Sequence, residues 1–185
     1  MDALDLLRHQ VKQSYAWLEL MVSDVSQKQA NWHPPGTANS IGAVYAHVMI
    51  TADVSFNSQL HGGMPLIASD WAGRVGLSEM YPAGDWGEWA LRVRVDWDAF
   101  RRYAREVHRC VEKYLASLST AELERRVDMS ARGLGIWKGF DVYNVHGIYH
   151  PRLHGGEIAC LKGLQAATGC RRCHSAKTRA VPENA

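Results

Sequence analysis

Three histidines recur at four-residue intervals in the stretch Tyr143-Asn144-Val145-His146-Gly147-Ile148-Tyr149-His150-Pro151-Arg152-Leu153-His154. On a helix, residues four apart share a face, with Cβ atoms about 5–6 Å apart. Two imidazoles so placed can grip one metal ion, as the histidines of an H-E-x-x-H helix do. A third ligand must come from elsewhere in the chain, and His47 is the candidate. Alone, His47 reads as a satisfied core histidine; paired with the downstream run, it reads as a ligand. Three neutral imidazoles around a divalent ion leave a coordination position open, the arrangement of catalytic rather than structural zinc sites. A metal held so can lower the pKa of a bound water to about 7 or take a thiol as its thiolate.

Pro151 falls inside this run. Proline lacks the N–H of a helical hydrogen bond and crowds the carbonyl four residues back, here that of Gly147. It also disfavours α geometry at the preceding residue, His150. The sequence therefore predicts a kink or restart between His150 and His154. The kink either bends the helix around its neighbours or aims two imidazoles at one point. Gly155-Gly156 then weakens the helix by about 1 kcal/mol per residue relative to alanine, which suggests close approach of another helix or a ligand. Glu157, one turn past His154, can orient a ligating histidine, act as a base or pair with an arginine.

The elements that must position these residues read as helices. Leu4, Leu7, Val11, Ser14, Leu18, Met21 and Val25 alternate in steps of three and four, the seam of an amphipathic helix over about residues 2–24. A Pro- and Gly-containing loop follows, and Asn39 or Ser40 is a suitable N-cap. The second helix runs from about 41 to 60 and ends at His61-Gly62-Gly63. Residues 64–84 are irregular, and long enough to be functional. The third helix is the longest, with an apolar seam from Trp89 through Val93 and Trp97 to Leu118. Its charges, among them Arg92, Arg101, Arg105 and Arg109, read as a solvated, ion-paired face, with a basic groove for an anionic substrate as the alternative. Ser119 and Glu122 offer a capping box, and residues 128–139 read as loop, with a little strand as the alternative. The fourth helix covers about 141–167. Four main helices make a helical bundle the economical architecture.

The chain has 185 residues, 46% hydrophobic and 22% charged, with a formal net charge of +2. That suits one domain over residues 1–169, followed by a loose basic tail at 170–185. So small a charge gives no reason to expect nucleic acid. No apolar run reaches the roughly 18 residues of a membrane span. The acidic Met1-Asp2-Ala3-Leu4-Asp5 is unlike a secretory signal, so the expectation is a cytoplasmic protein with mostly reduced cysteines. Cys110 and Cys160 read as small core residues. Cys170-x-x-Cys173-His174 has haem-attachment spacing, but in a loose tail it reads first as a segment without a role, then as an adventitious metal or redox site. His9, His33, His61 and His108 stand singly and read as surface or capping residues.

Two blocks carry a resemblance to a known family. Trp32-His33-Pro34-Pro35…Asn39-Ser40-Ile41-Gly42 followed by His47 is similar to the start of the second helix in the DinB-like superfamily. His150-x-x-x-His154-Gly155-Gly156-Glu157-Ile158, continuing Leu161-Lys162-Gly163-Leu164-Gln165, resembles its fourth-helix signature. The resemblance implies an all-α fold, a four-helix bundle with long connections between helices 2–3 and 3–4, often as a homodimer. It implies a divalent metal, zinc or nickel, held by one histidine of the second helix and two of the fourth: His47, His150 and His154. Relatives include S-transferases and isomerases that use bacillithiol, mycothiol or glutathione, so a low-molecular-weight thiol cosubstrate and a small-molecule electrophile are the implied partners, with no role for nucleic acid or membrane. The chain departs from the family pattern where Gly155-Gly156-Glu157 replaces Arg-Gly-Gln and where Pro151 interrupts the pair, which keeps His146 as a spare ligand. Under this reading residues 64–84 and the third-helix arginines hold the thiol's carboxylates, Trp32, Trp71 and Trp86 line a pocket or fill the core, and Glu157 is the candidate catalytic residue. The competing readings are a non-enzymatic bundle stabilised by its metal and a stress or redox binding protein acting through the tail cysteines.

Overall fold

Asp2 opens the first helix by accepting a hydrogen bond from the Asp5 backbone N–H at 2.8 Å, and α1 runs Ala3–Val22. The computed structural model describes residues 2–82 and 84–165. A capping box between Ser26 and Gln29 starts the single turn α2, Gln27–Ala30. Ser40 then caps α3, Ile41–Asp53, by accepting from Ala43 N–H at 3.2 Å. Every residue of α3 is buried, which explains why its apolar residues cover overlapping faces rather than one stripe. Without a break it continues as a π-helical stretch, Val54–Leu60, and stops at His61 and Gly62, the latter at φ 70°.

The sequence predicts one long third helix through Trp89 and Trp97, and the structure divides it. α4 spans Gly87–Arg92, Val93 turns extended at ψ 138°, Val95 bridges to Leu77, and Asp96 caps α5, Trp97–Ala116. Side chains from beside α2 hold the interruption. Asn31 exchanges two hydrogen bonds with the Val95 backbone, each 2.8 Å, and Gln27 bonds Val95 O at 2.7 Å and Trp97 N at 2.8 Å. Helical spacing alone could not show that these backbone groups had partners elsewhere.

Ser119 caps the short α6, Thr120–Glu124. β1 (Arg126–Asp128) and β2 (Ile136–Lys138) then pair antiparallel with Val127 opposite Trp137. α7 (Gly139–Val142) leads into a second π-helical stretch, Tyr143–Tyr149, and on into α8, His150–Leu164. The described residues are thus mostly helical, with one two-stranded sheet. α1 packs on α8, α3 on both α8 and α5, and α5 on α1. The core lies between them, with Val11, Tyr15, Leu18, Val44, Val48, Phe100, Val107 and Ile158 all essentially inaccessible. No helix among the described residues is long and apolar enough to cross a membrane.

The structure relocates the irregularity expected at Pro151. His150 keeps helical geometry at φ −59°, ψ −52°, and the chain widens before it instead. In a π-helical stretch the bond runs to the carbonyl five residues back, so the acceptor that proline leaves without a donor belongs to His146. The buried Tyr15 hydroxyl of α1 donates to His146 O at 3.0 Å and fills that place. Gly155 and Gly156 are also corrected: a Cβ on either would meet nothing within 4 Å, so no close backbone approach requires them. Cys160 is exposed and Cys110 half-buried rather than core. Cys170, Cys173 and His174 lie outside the described residues.

Gly42 does need its missing side chain. A Cβ there would stand 2.9 Å from Ala30 O and 3.0 Å from Val95 Cγ2. Gly42→Ala should therefore destabilise the fold by about 2 kcal/mol through overpacking, seen as a lower urea midpoint with an unchanged slope.

Candidate metal centre

α3 carries His47 in its second turn, and α8 carries His150 and His154 on the face that packs against it. One ring nitrogen from each of the three lies within 4.8 Å of one from each of the others. His47 Nε2 and His150 Nε2 are 2.9 Å apart. The remaining ring pairs are close as well, with centroids 5.1 Å apart for His47 and His154 and 4.6 Å for His150 and His154.

The surrounding hydrogen bonds turn bare nitrogens toward this point. Glu157 Oε2 lies 2.7 Å from His154 Nδ1, so a His154 Nδ1–H donates to the carboxylate and leaves Nε2 with its lone pair. Tyr81 Oη lies 2.7 Å from His47 Nδ1 and can fix that ring in the same way. Trp86 stacks flat on His47, with centroids 3.9 Å apart and planes at 6°, and shields it from water. Burial is the main cause that pushes His47 down to about 3 and His150 down to about 2 from the ordinary value of 6.5. Both rings are therefore neutral at physiological pH, the form that ligates a metal.

This donor set fits a divalent cation. Two neutral Nε2 lone pairs facing each other at 2.9 Å repel unless one carries a proton or a cation sits between them. In a tetrahedral zinc site with Zn–N near 2.0–2.1 Å, the nitrogens stand roughly 3.3 Å apart, so little movement separates the observed spacing from coordination. His47, His150 and His154 thus form a group that could hold a metal ion.

His146 is not in the converging group. It is buried one turn back, stacked on Trp137 at 5.7 Å and 16°, with neither ring nitrogen hydrogen-bonded among the described residues. Of the tryptophans considered, Trp86 reaches the site, whereas Trp71 packs edge-on against Tyr103. The helical arginines Arg92, Arg101 and Arg109 pair with Glu79, Glu19 and Glu106, the ion-paired face. Sequence reasoning missed Arg132, whose charge contributes to depressing His47, His146 and His150. Nothing in the spacing of the glycine-rich segment around it signalled that placement.

Two predictions arise from this geometry. Glu157→Ala should weaken metal binding by about 10–100-fold, the usual effect of removing a ligand's outer partner. Glu157→Gln keeps an acceptor for Nδ1–H and should retain most of the affinity; chelator competition measures both. The second concerns metal-stripped protein. In the unfolded chain these histidines take up protons near 6.5, but folded His47 and His146 do so only near 3 and His150 near 2. Between those limits the unfolded state binds more protons, so stability rises with pH. It should be fully present above about pH 7 and fall steadily as pH drops toward 3. Denaturation midpoints measured across that range, with chelator present, would expose a flat response if the burial is wrong.

Among curated proteins none matches this chain. A crystal structure described as the conserved protein of locus from Enterococcus faecalis is similar, with a TM-score of 0.72 over 89% of this chain and 97% of that one, at 19% identity. At that identity the likeness concerns the fold alone. The family model of the DinB superfamily matches residues 10–158, a span that takes in α3, α5 and the histidines of α8. That match covers most of the chain, which therefore belongs to the DinB superfamily.

Proposed function

We propose that His47, His150 and His154 ligate a divalent metal, zinc or nickel, and that the protein is a metal-dependent transferase joining a small thiol to an electrophile, or a related hydrolytic enzyme. The convergence of the three ring nitrogens is the observation that carries this reading. A metal held there would act as a Lewis acid and lower the pKa of a water or thiol in its remaining coordination position. Glu157 serves as the positioning residue for His154, and Tyr81 for His47, so both rings keep their tautomers. Trp86 covers one side of His47 and keeps bulk water from it. In the same reading α1, α3 with its π-helical extension, α5 and α8 form the four-helix bundle of the DinB type, residues 1–169 are one domain, and the chain works as a cytoplasmic homodimer.

Elemental analysis of the purified protein, followed by a screen of small thiols against a chlorinated aromatic, tests this. Stoichiometric zinc or nickel with thiol-dependent turnover supports it. Bound metal with no turnover for any thiol or hydrolytic substrate favours a metal-stabilised binding protein. Absence of metal after reconstitution ends the metal reading.

A further inference from the structure

Arg132 ends the short turn Ser130–Arg132, ahead of Gly133 at φ 73°. Its guanidinium is half-buried, and Nη1 donates to Ser55 Oγ at 3.0 Å. Guanidinium carries five N–H donors and stays charged throughout the physiological range. Among the described residues no carboxylate pairs with it, whereas Arg92, Arg101, Arg109 and Arg125 each have one. Its charge is felt at His47 on α3, at Tyr81 in the long connection, at His146 in the second π-helical stretch and at His150 on α8. Ser55, to which Arg132 is tied, lies eight residues past His47 on the same unbroken helical run, and its neighbour Phe56 packs on Tyr143 of the second π-helical stretch with centroids 5.2 Å apart, so the cation is anchored between the elements that carry His47 and His146. The same corner holds His146, whose buried ring has no hydrogen-bond partner among the described residues.

A partly buried cation without a counter-charge is unfavourable, and so is a buried imidazole N–H without an acceptor. An oxyanion meets both needs. It accepts two parallel N–H bonds from guanidinium and a third from the imidazole, while Ser55 fixes the guanidinium plane. We propose that Arg132, Ser55 and His146 form an oxyanion subsite that anchors the carboxylate or phosphate of a small substrate beside the histidine centre. The subsite deepens the metal-dependent reading and rests on it for what the anchored molecule reaches. Capture of the oxyanion itself needs no metal.

Binding to the purified protein, with its metal content measured in the same sample, tests the subsite. 3-Mercaptopropionate should bind about tenfold or more tighter than neutral 2-mercaptoethanol, the scale of one charge-assisted hydrogen bond. Arg132→Gln should erase that preference without changing metal content. A folded Arg132→Gln protein that keeps the full preference, or wild-type protein that shows none, overturns the proposal. Should the variant fail to fold, phenylglyoxal modification of the wild-type chain serves instead. Propionate or phosphate should slow modification of Arg132 but not of exposed Arg92, and the stronger protector identifies the oxyanion. Equal rates with and without these anions overturn the proposal. Protection of Arg132 in protein that holds no metal would mean that the metal reading fails and the subsite stands.

Discussion

His47→Ala should strip the protein of its metal. The two α8 histidines offer nitrogens from one helix face, and His47 supplies the only other imidazole in the converging group. Structural zinc sites of four ligands bind with about 10–16 kcal/mol, so losing one ligand of three should weaken binding by on the order of a hundredfold or more. The substitution also removes the ring that Tyr81 holds and Trp86 covers. Elemental analysis after dialysis should fall from near-stoichiometric to a trace. The rise in melting temperature on adding metal, which follows mass action, should vanish with it. His146→Ala should keep its metal, since that ring stands outside the group. Equal metal content in His47→Ala and wild type would show that the three rings are a packing arrangement and no more.

Asp53→Ala should produce the largest loss of stability, on the order of 4 kcal/mol. The Asp53 carboxylate is fully buried at the end of α3. Oδ1 accepts from Asn57 Nδ2 at 2.7 Å and Leu66 N at 2.8 Å, while Oδ2 accepts from Ile67 N at 2.9 Å and Tyr103 Oη at 2.7 Å. Truncation leaves four buried donors without an acceptor, each worth about 1–3 kcal/mol before relaxation or entering water. Asp53 also ties the start of the long connection to α3 and α5, and that connection delivers Tyr81 and Trp86 to His47. Metal affinity should therefore fall even at temperatures where the variant stays folded. Denaturant midpoints and chelator competition on the same sample separate the two effects.

The parts that follow local rules were readable from residue order. The seam from Leu4 to Met21 became α1, Ser40 capped α3, and Ser119 capped α6, because capping and amphipathic spacing depend on neighbours a turn away. The four-residue step from His150 to His154 likewise survives in α8. Other features depend on partners distant along the chain. The interruption at Val93–Asp96 exists because Asn31 and Gln27 bond its backbone, and no pattern within 89–118 encodes that. The wide turn before Pro151 depends on Tyr15, over a hundred residues away. Arg132 bonds Ser55, far back in the sequence, from a turn whose glycines merely suggested a loop. The buried Asp53 was invisible because three of its four donors, Leu66 N, Ile67 N and Tyr103 Oη, are brought close only by folding.

The two wide turns, Val54–Leu60 after the His47 helix and Tyr143–Tyr149 before the His150 helix, have a consequence for length variation. Such turns hold one residue more than a regular helix of the same rise, and removing that residue restores ordinary backbone hydrogen bonding. Each residue also advances the helix by about 100°. A one-residue deletion between His146 and His150 would thus heal the backbone yet swing His146 away from the side occupied by His150 and His154. Chains that differ by a single residue here can keep the scaffold and the chelating pair while presenting a different wall to whatever binds beside them.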